Sequence, residues 1–158
     1  MARDGAKAPR SVKAPAAPGL ALDDYLPYLV NRVGVRLVAT FAPAAAEHGL
    51  SVPMWRVLAV LAQHGAQRQI DLAQRTSIDA STLSRLIKTV QALGYVSRAR
   101  SRASGREVAV TLTPRGQAVV RGLIPIALDC EAAAARGLSA RERRTLKTLL
   151  RRVHDSLG

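Results

Sequence analysis

At 158 residues and a formal net charge of +13, the chain is about one domain long and strongly basic. Hydrophobic residues make up 48% of it, too many for a wholly disordered polymer, and aromatics at 3% leave the core to aliphatic and Ala packing. No apolar run approaches the ~18 residues that span a bilayer, the basic N-terminus has no apolar stretch behind it, and the single cysteine, Cys130, excludes an intramolecular disulfide and a Cys-based zinc cage.

The expectation from these bounds is a soluble cytoplasmic protein with no cofactor. Its charge points to a polyanion, nucleic acid before an anionic membrane surface. Arg supplies 20 of the 24 basic residues, and Arg is the better fork for phosphate and for guanine edges.

Residues 1–21 form a basic Pro/Ala-rich tail. Lys7-Ala8-Pro9-Arg10 and Lys13-Ala14-Pro15 offer little to bury, so the composition predicts disorder. An electrostatic arm touching DNA is one reading of it; a solvated extension is the simpler one. A helix is expected from Asp23, with Asp23 and Asp24 at its positive N-terminus and Leu26, Leu29, Val30, Val33, Leu37 and Val38 at helical spacing. Pro43 is expected to kink or end it and Gly49 to stop it. A second helix follows Ser51-Val52-Pro53, with Val57, Leu58 and Leu61 as its stripe before Gly65.

Two short helices with a tight break come next: residues 70–76, a turn at Ser77-Ile78, and a helix opened by Asp79, placed to cap the N–H groups of Ser81 and Thr82. Leu83, Leu86, Ile87, Val90 and Leu93 make one apolar stripe, and Ser81, Thr82, Ser84, Arg85, Lys88, Thr89 and Gln91 make the outer face. The period then turns strand-like. Residues 95–100 and 107–112 alternate on either side of Ser101-Arg102-Ala103-Ser104-Gly105-Arg106, the pattern of a β-hairpin with a basic tip.

Thr113-Pro114 opens a further helix as N-cap and first residue, with a kink expected at Pro125. Ser139 and Glu142 form a capping box before the last helix, whose stripe is Leu146, Leu149, Leu150, Val153 and Leu157.

Helix, helix, turn, helix, hairpin is the order of a winged helix-turn-helix: mainly α, with a small β-hairpin wing. Residues 75–106 hold seven basic residues against the one acid Asp79. Short hydrogen-bonding side chains at the start of the helix beginning at Asp79 suit base edges, and the cations beyond them suit phosphates. The expected DNA contacts are Arg75, Ser81, Thr82, Arg85 and Lys88, with Arg102 and Arg106 reaching from the wing to the minor groove or backbone. A solvated basic face is the bland alternative for any one of these features; their ordered combination favours double-stranded DNA.

The chain resembles the MarR family of winged helix-turn-helix transcription regulators. The matching stretches are Leu22-Asp23-Asp24-Tyr25-Leu26-Pro27-Tyr28-Leu29, Gly49-Leu50-Ser51-Val52-Pro53-Met54-Trp55-Arg56-Val57-Leu58, Asp71-Leu72-Ala73-Gln74-Arg75-Thr76, Asp79-Ala80-Ser81-Thr82-Leu83-Ser84-Arg85-Leu86-Ile87 and Leu112-Thr113-Pro114-Arg115-Gly116. The resemblance covers about residues 22–157. It implies a homodimeric repressor or activator that reads pseudo-palindromic operators. Many relatives release DNA on binding a small phenolic or anionic ligand, and others sense oxidants through cysteine.

Two positions depart from the family pattern. Ser104 stands where an Asp often braces the wing arginine, here Arg106, and Arg68 stands where a Thr or Ser usually caps the helix before Asp71-Leu72-Ala73.

A DNA-binding lobe of about residues 50–113 is too small to cover the terminal helices, about 22–48 and 114–157. Their apolar faces are expected to form the dimer, through Leu26, Leu29 and Val30 with Leu146, Leu149, Leu150 and Val153. The resemblance also implies an effector pocket between dimer helices and lobe. Arg32 and Arg36, at i and i+4 near Tyr28, are candidates to hold a carboxylate beside an aromatic ring, with a solvated helix face as the alternative.

His48, His64 and His154 have no ligand spacing, Cys130 reads as a buried structural thiol, and Trp55 reads as core. Nucleophile motifs, phosphate-cradling glycine loops and paired carboxylates are absent, which argues against an enzyme. A largely non-specific architectural DNA binder stays open as the other DNA-binding reading.

Overall fold

The computed structural model describes residues 19–100 and 108–157. After a 3₁₀ turn at Leu22–Asp24 come α1 (Leu26–Ala46), α2 (Val52–His64), β1 (Gln67–Arg68), α3 (Gln69–Thr76), α4 (Ala80–Ala92), β2 (Val96–Arg100), β3 (Val108–Leu112), α5 (Pro114–Ala134) and α6 (Ala140–Ser156). The three strands make one antiparallel sheet in the order β1-β3-β2. β2 and β3 pair from Val96 opposite Leu112 to Arg100 opposite Val108, and β1 sets Gln67 opposite Val110. This is the mainly α winged helix-turn-helix that the sequence predicts. No helix among the described residues is long and apolar enough to cross a membrane.

The chain divides into two compact units, Met1–Gly34 and Val35–Gly158. In the first, Asp23 and Asp24 lie in the 3₁₀ turn and not in the first turn of α1, which carries no acid. The correction has a local cause: Tyr25 takes an extended conformation and donates its N–H to Leu22, closing one turn before the next begins. α1 does not end at Pro43 but runs three residues further, and α5 continues through Pro125. A single missing N–H removes one rung of a helix that its neighbouring rungs and its packing still support.

In the second unit the core gathers Val57, Leu58 and Leu61 of α2, Leu72 of α3, Leu83, Ile87 and Val90 of α4, Val110 of β3, and Val120 and Leu123 of α5. Phe41 and Ala45 close it from α1, and Trp55 packs on Phe41 with ring centroids 5.3 Å apart. Helix ends follow the residues. Ser51 caps α2 by accepting the Met54 N–H, while the Met54 thioether takes the Ser51 N–H. Gly49, Gly65 and Gly94 take the left-handed φ that stops a helix.

The start of α5 is the tightest junction. The Thr113 hydroxyl accepts the Gly116 N–H at 3.0 Å and donates to the Gly94 carbonyl at 2.7 Å. The Thr113 N–H reaches the Tyr95 carbonyl at 3.0 Å. A Cβ on Gly116 would stand 2.0 Å from that same carbonyl oxygen, so only glycine fits.

Candidate nucleic-acid interface

α4 is positioned by what it buries. Leu83, Ile87 and Val90 have no exposure at all, which fixes the rotation of the helix and turns Ser81, Thr82, Arg85, Lys88 and Thr89 outward. Its start is held by Asp79, whose carboxylate accepts the Thr82 N–H at 2.9 Å. Ser81, the other expected partner, turns both its backbone N–H and its hydroxyl to the same carboxylate, the hydroxyl at 2.7 Å. The Thr82 N–H first, then the Thr82 and Ser81 side chains, hold the Asp79 carboxyl far below the usual carboxylate range.

The turn before α4 is braced from two sides. Ser77 takes a left-handed conformation, φ 52°, and its N–H returns to the end of α3. Arg56 of α2 donates to the Thr76 carbonyl at 3.2 Å, tying the core helix to the turn. Thr76 is itself buried, its hydroxyl on the Leu72 carbonyl at 2.6 Å. Arg68, which stands at the N-cap of α3 and makes no side-chain cap, forks instead onto Asp71 at 2.8 and 2.9 Å. That fork holds the Asp71 carboxyl below its ordinary value.

Arg75 is exposed on α3, as Ser81, Thr82, Arg85 and Lys88 are on α4. Arg102 and Arg106, and Ser104 between them, lie outside the described residues; β2 and β3, which bracket them, form the expected hairpin ladder. The chemistry available is a row of hydroxyl groups at a helix start followed by cations one and two turns on, the arrangement that reads base edges and holds phosphates. Among the described residues no group of three His, Cys, Asp or Glu side chains is placed to hold a metal.

Of the expected ligand residues, Arg32 and Arg36 are exposed and Tyr28 is half-buried. Arg32 lies over the Tyr28 ring, 5.3 Å from its centroid. Arg36 borders a groove of about 460 Å³ between the second half of α1 and α5, with Leu37, Thr40, Ile126, Asp129 and Cys130. Cys130 is therefore half-buried at a groove wall and not a core thiol; its S–H donates to the Thr40 carbonyl at 3.7 Å. Leu26, Leu29 and Val30 of α1 and Leu146, Leu149, Leu150 and Val153 of α6 are all exposed in the single chain. A second groove, about 400 Å³, lies among α2, β3 and α5, lined by Leu61, Leu112, Val120 and Ile124 with Thr111, Gln117 and Arg121. The contacts of Arg56 and Gly116, and the place of Arg121 in the groove wall, were not legible in the sequence. Only Gly116 carried a signal, its place in the Thr-Pro-Arg-Gly stretch at the end of β3.

The model of the MarR family matches residues 48–107, the stretch from the end of α1 into the β2–β3 connection. The HTH-type transcriptional repressor Rv2887 of Mycobacterium tuberculosis is 30% identical over 135 residues, covering 85% of this chain and 97% of the relative. This chain belongs to the MarR family. Solved MarR-family structures agree with the fold. That of Bordetella bronchiseptica BpsR, a study of its DNA-binding regulation by 6-hydroxynicotinic acid, superposes with a TM-score of 0.79 at 29% identity over 87% of this chain and 98% of that one. Rv2887 in complex with salicylic acid gives 0.66 at 28% identity over 83% and 97%. The MarR-family chain is thus a DNA-binding transcriptional regulator.

Proposed function

We propose that the chain is a homodimeric repressor that reads a pseudo-palindromic operator and releases it on binding a small aromatic carboxylate. The observation that carries the DNA side is α4: a helix locked by three fully buried residues, presenting Ser81, Thr82, Arg85 and Lys88 outward. Arg75 adds a cation from α3, and Arg102 and Arg106 act from the wing. The lobe of about residues 50–113 reads DNA, and the terminal helices pair two copies through Leu26, Leu29, Val30, Leu146, Leu149, Leu150 and Val153.

Support for the effector comes from relatives and from two grooves. Salicylic acid and 6-hydroxynicotinic acid, named with Rv2887 and BpsR, both join a ring to a carboxylate. Tyr28 and Arg32 already satisfy each other by stacking, and the groove beside Arg36 has Asp129 in its wall, a charge that repels a carboxylate. The groove of Arg121 has an apolar floor, two neutral hydrogen-bonding side chains and no acid in its lining, within the usual size of ligand sites. It is our first choice for the effector, with Tyr28, Arg32 and Arg36 as the alternative seat.

The test is selection of bound sequences from random DNA, with and without a panel of aromatic acids. Inverted half-sites released by one acid support the proposal, and uniform binding without preference makes the protein architectural. Loss of release in Arg121→Gln but not in Arg36→Gln assigns the seat; the opposite pattern moves it to α1.

A further inference from the structure

α6 carries more positive charge than a solvated helix face requires. Its 17 residues include Arg141, Arg143, Arg144, Lys147, Arg151 and Arg152 against Glu142 and Asp155. Glu142 is engaged in its own cap, holding the Ser139 N–H and hydroxyl at 2.7 Å each. Lys147 pairs with Glu131 of α5, and Asp155 lies beside His154. Among the described residues, none of the five arginines makes an ion pair.

Four of the five arginines share a side, and Arg143 falls beside the apolar stripe. At 3.6 residues per turn, Arg144 and Arg151 fall opposite the stripe of Leu146, Leu149, Leu150 and Val153, with Arg141 and Arg152 on one flank and Arg143 on the other. Like charges meet at the repelling spacings: Arg141 with Arg144, Arg144 with Lys147, Arg143 with Lys147, and Lys147 with Arg151. A helix face that only solvates mixes signs and gains from such pairs.

This face matches one chemistry. Unpaired planar guanidinium forks are suited to phosphate oxygens. From Arg141 to Arg152 the helix rises ~16 Å, the length of about five base pairs of duplex at 3.4 Å each. When a second copy covers the apolar stripe, the basic side still points away from it.

We propose that the basic face of α6 binds the phosphate backbone of a second DNA duplex, so that an operator-bound dimer holds two duplexes together. The proposal rests on the DNA-binding reading above and adds a contact surface that shares no residue with α4.

The experiment uses the full chain on an immobilised duplex of the sequence it selects. Unbound protein is washed off, and a fluorescent random-sequence duplex is added over a salt series. The expected result is that wild type retains the second duplex. The triple variant R141Q/R144Q/R151Q is expected to retain roughly tenfold less, with its log–log salt slope reduced by about 0.9 for each phosphate that the variant no longer neutralises. Affinity for the first duplex, dimer mass and thermal midpoint are expected to stay at wild-type values.

Capture that is absent in wild type, or equal in the variant, overturns the proposal. So does a variant that loses the dimer or the first duplex, which makes the arginines part of the interface or of single-duplex binding. Tighter binding of phosphatidylserine vesicles than of the second duplex overturns it in favour of a membrane. If wild type fails to hold even the first duplex, the DNA-binding reading fails and this proposal with it.

Discussion

Two glycines six residues apart in α5 are expected to respond to alanine with opposite signs. Gly116 lies against the Tyr95 backbone, where a Cβ would meet the carbonyl oxygen at 2.0 Å and its carbon at 2.9 Å. Neither atom belongs to a flexible side chain, and the same oxygen holds the Thr113 N–H. Gly116→Ala must therefore move α5 off the β2 junction, with a loss of about 1–3 kcal/mol or more. Gly122 has open space around the same point, and Gly122→Ala should gain roughly 0.5–1 kcal/mol from helix propensity. Urea unfolding of the two variants against wild type checks both signs.

Asp79 gives a pH-dependent version of the same kind of local argument. Its native pKa is depressed, so its capping contribution is complete above its ordinary value of 3.8 and is lost as the pH falls below that towards the native value. The gap in Tm between wild type and Asp79→Ala should be full at pH 7 and shrink below about pH 4. A gap that stays constant down to pH 2 would show that the cap bonds do not depend on the carboxylate.

At the scale of the element, α4 does two jobs on two sides, and its variants should separate them. Arg85→Ala is expected to cost ~1–3 kcal/mol on the operator and to relax base preference at one position, as a base-edge contact does. Lys88→Ala is expected to weaken operator and random duplex alike and to lower the salt slope by about one per subunit. Affinities of both variants on the two duplexes across a salt series make the comparison.

The amphipathic elements were also the parts of the fold most open to sequence reading. The stripe from Leu83 to Val90 sits at strict helical spacing behind a capping Asp, and Leu83, Ile87 and Val90 are fully buried. β1 left no signal because two residues cannot show a period; it exists only because β3 offers Val110 and Ala109 to Gln67 and Arg68. Arg68 gives α3 no side-chain cap, as its residue type implies, and tethers the helix through Asp71 as well. The i, i+3 spacing permits that fork, but spacing alone does not say which way the guanidinium turns. Contacts that depend on tertiary approach, Arg56 on the Thr76 carbonyl and Arg121 in the groove wall, have no local pattern at all.

At the scale of the whole molecule, the proposed dimer rests on the terminal helices. α6 buries none of its residues in the single chain, and Leu146, Leu149, Leu150 and Val153 remain 46%, 48%, 44% and 37% exposed along one side. Leu26, Leu29 and Val30 present a similar face on α1, at 50%, 39% and 45%. Covering a Leu fully gains about 1.5–3 kcal/mol, and in a two-fold dimer each residue is covered twice. Leu150 has 44% left to cover, so Leu150→Ala should cost the dimer ~1–3 kcal/mol, which is about one to two decades in the dimer Kd at roughly 1.4 kcal/mol per decade. Sedimentation equilibrium over a concentration series measures that shift directly. DNA binding should follow it, because a monomer carries one α4 and an operator of two half-sites ~10 base pairs apart needs two. The variant should bind an isolated half-site as wild type does and the full operator far more weakly, with the difference vanishing at protein concentrations that restore the dimer. A dimer Kd unchanged by Leu150→Ala would place the interface elsewhere on the chain.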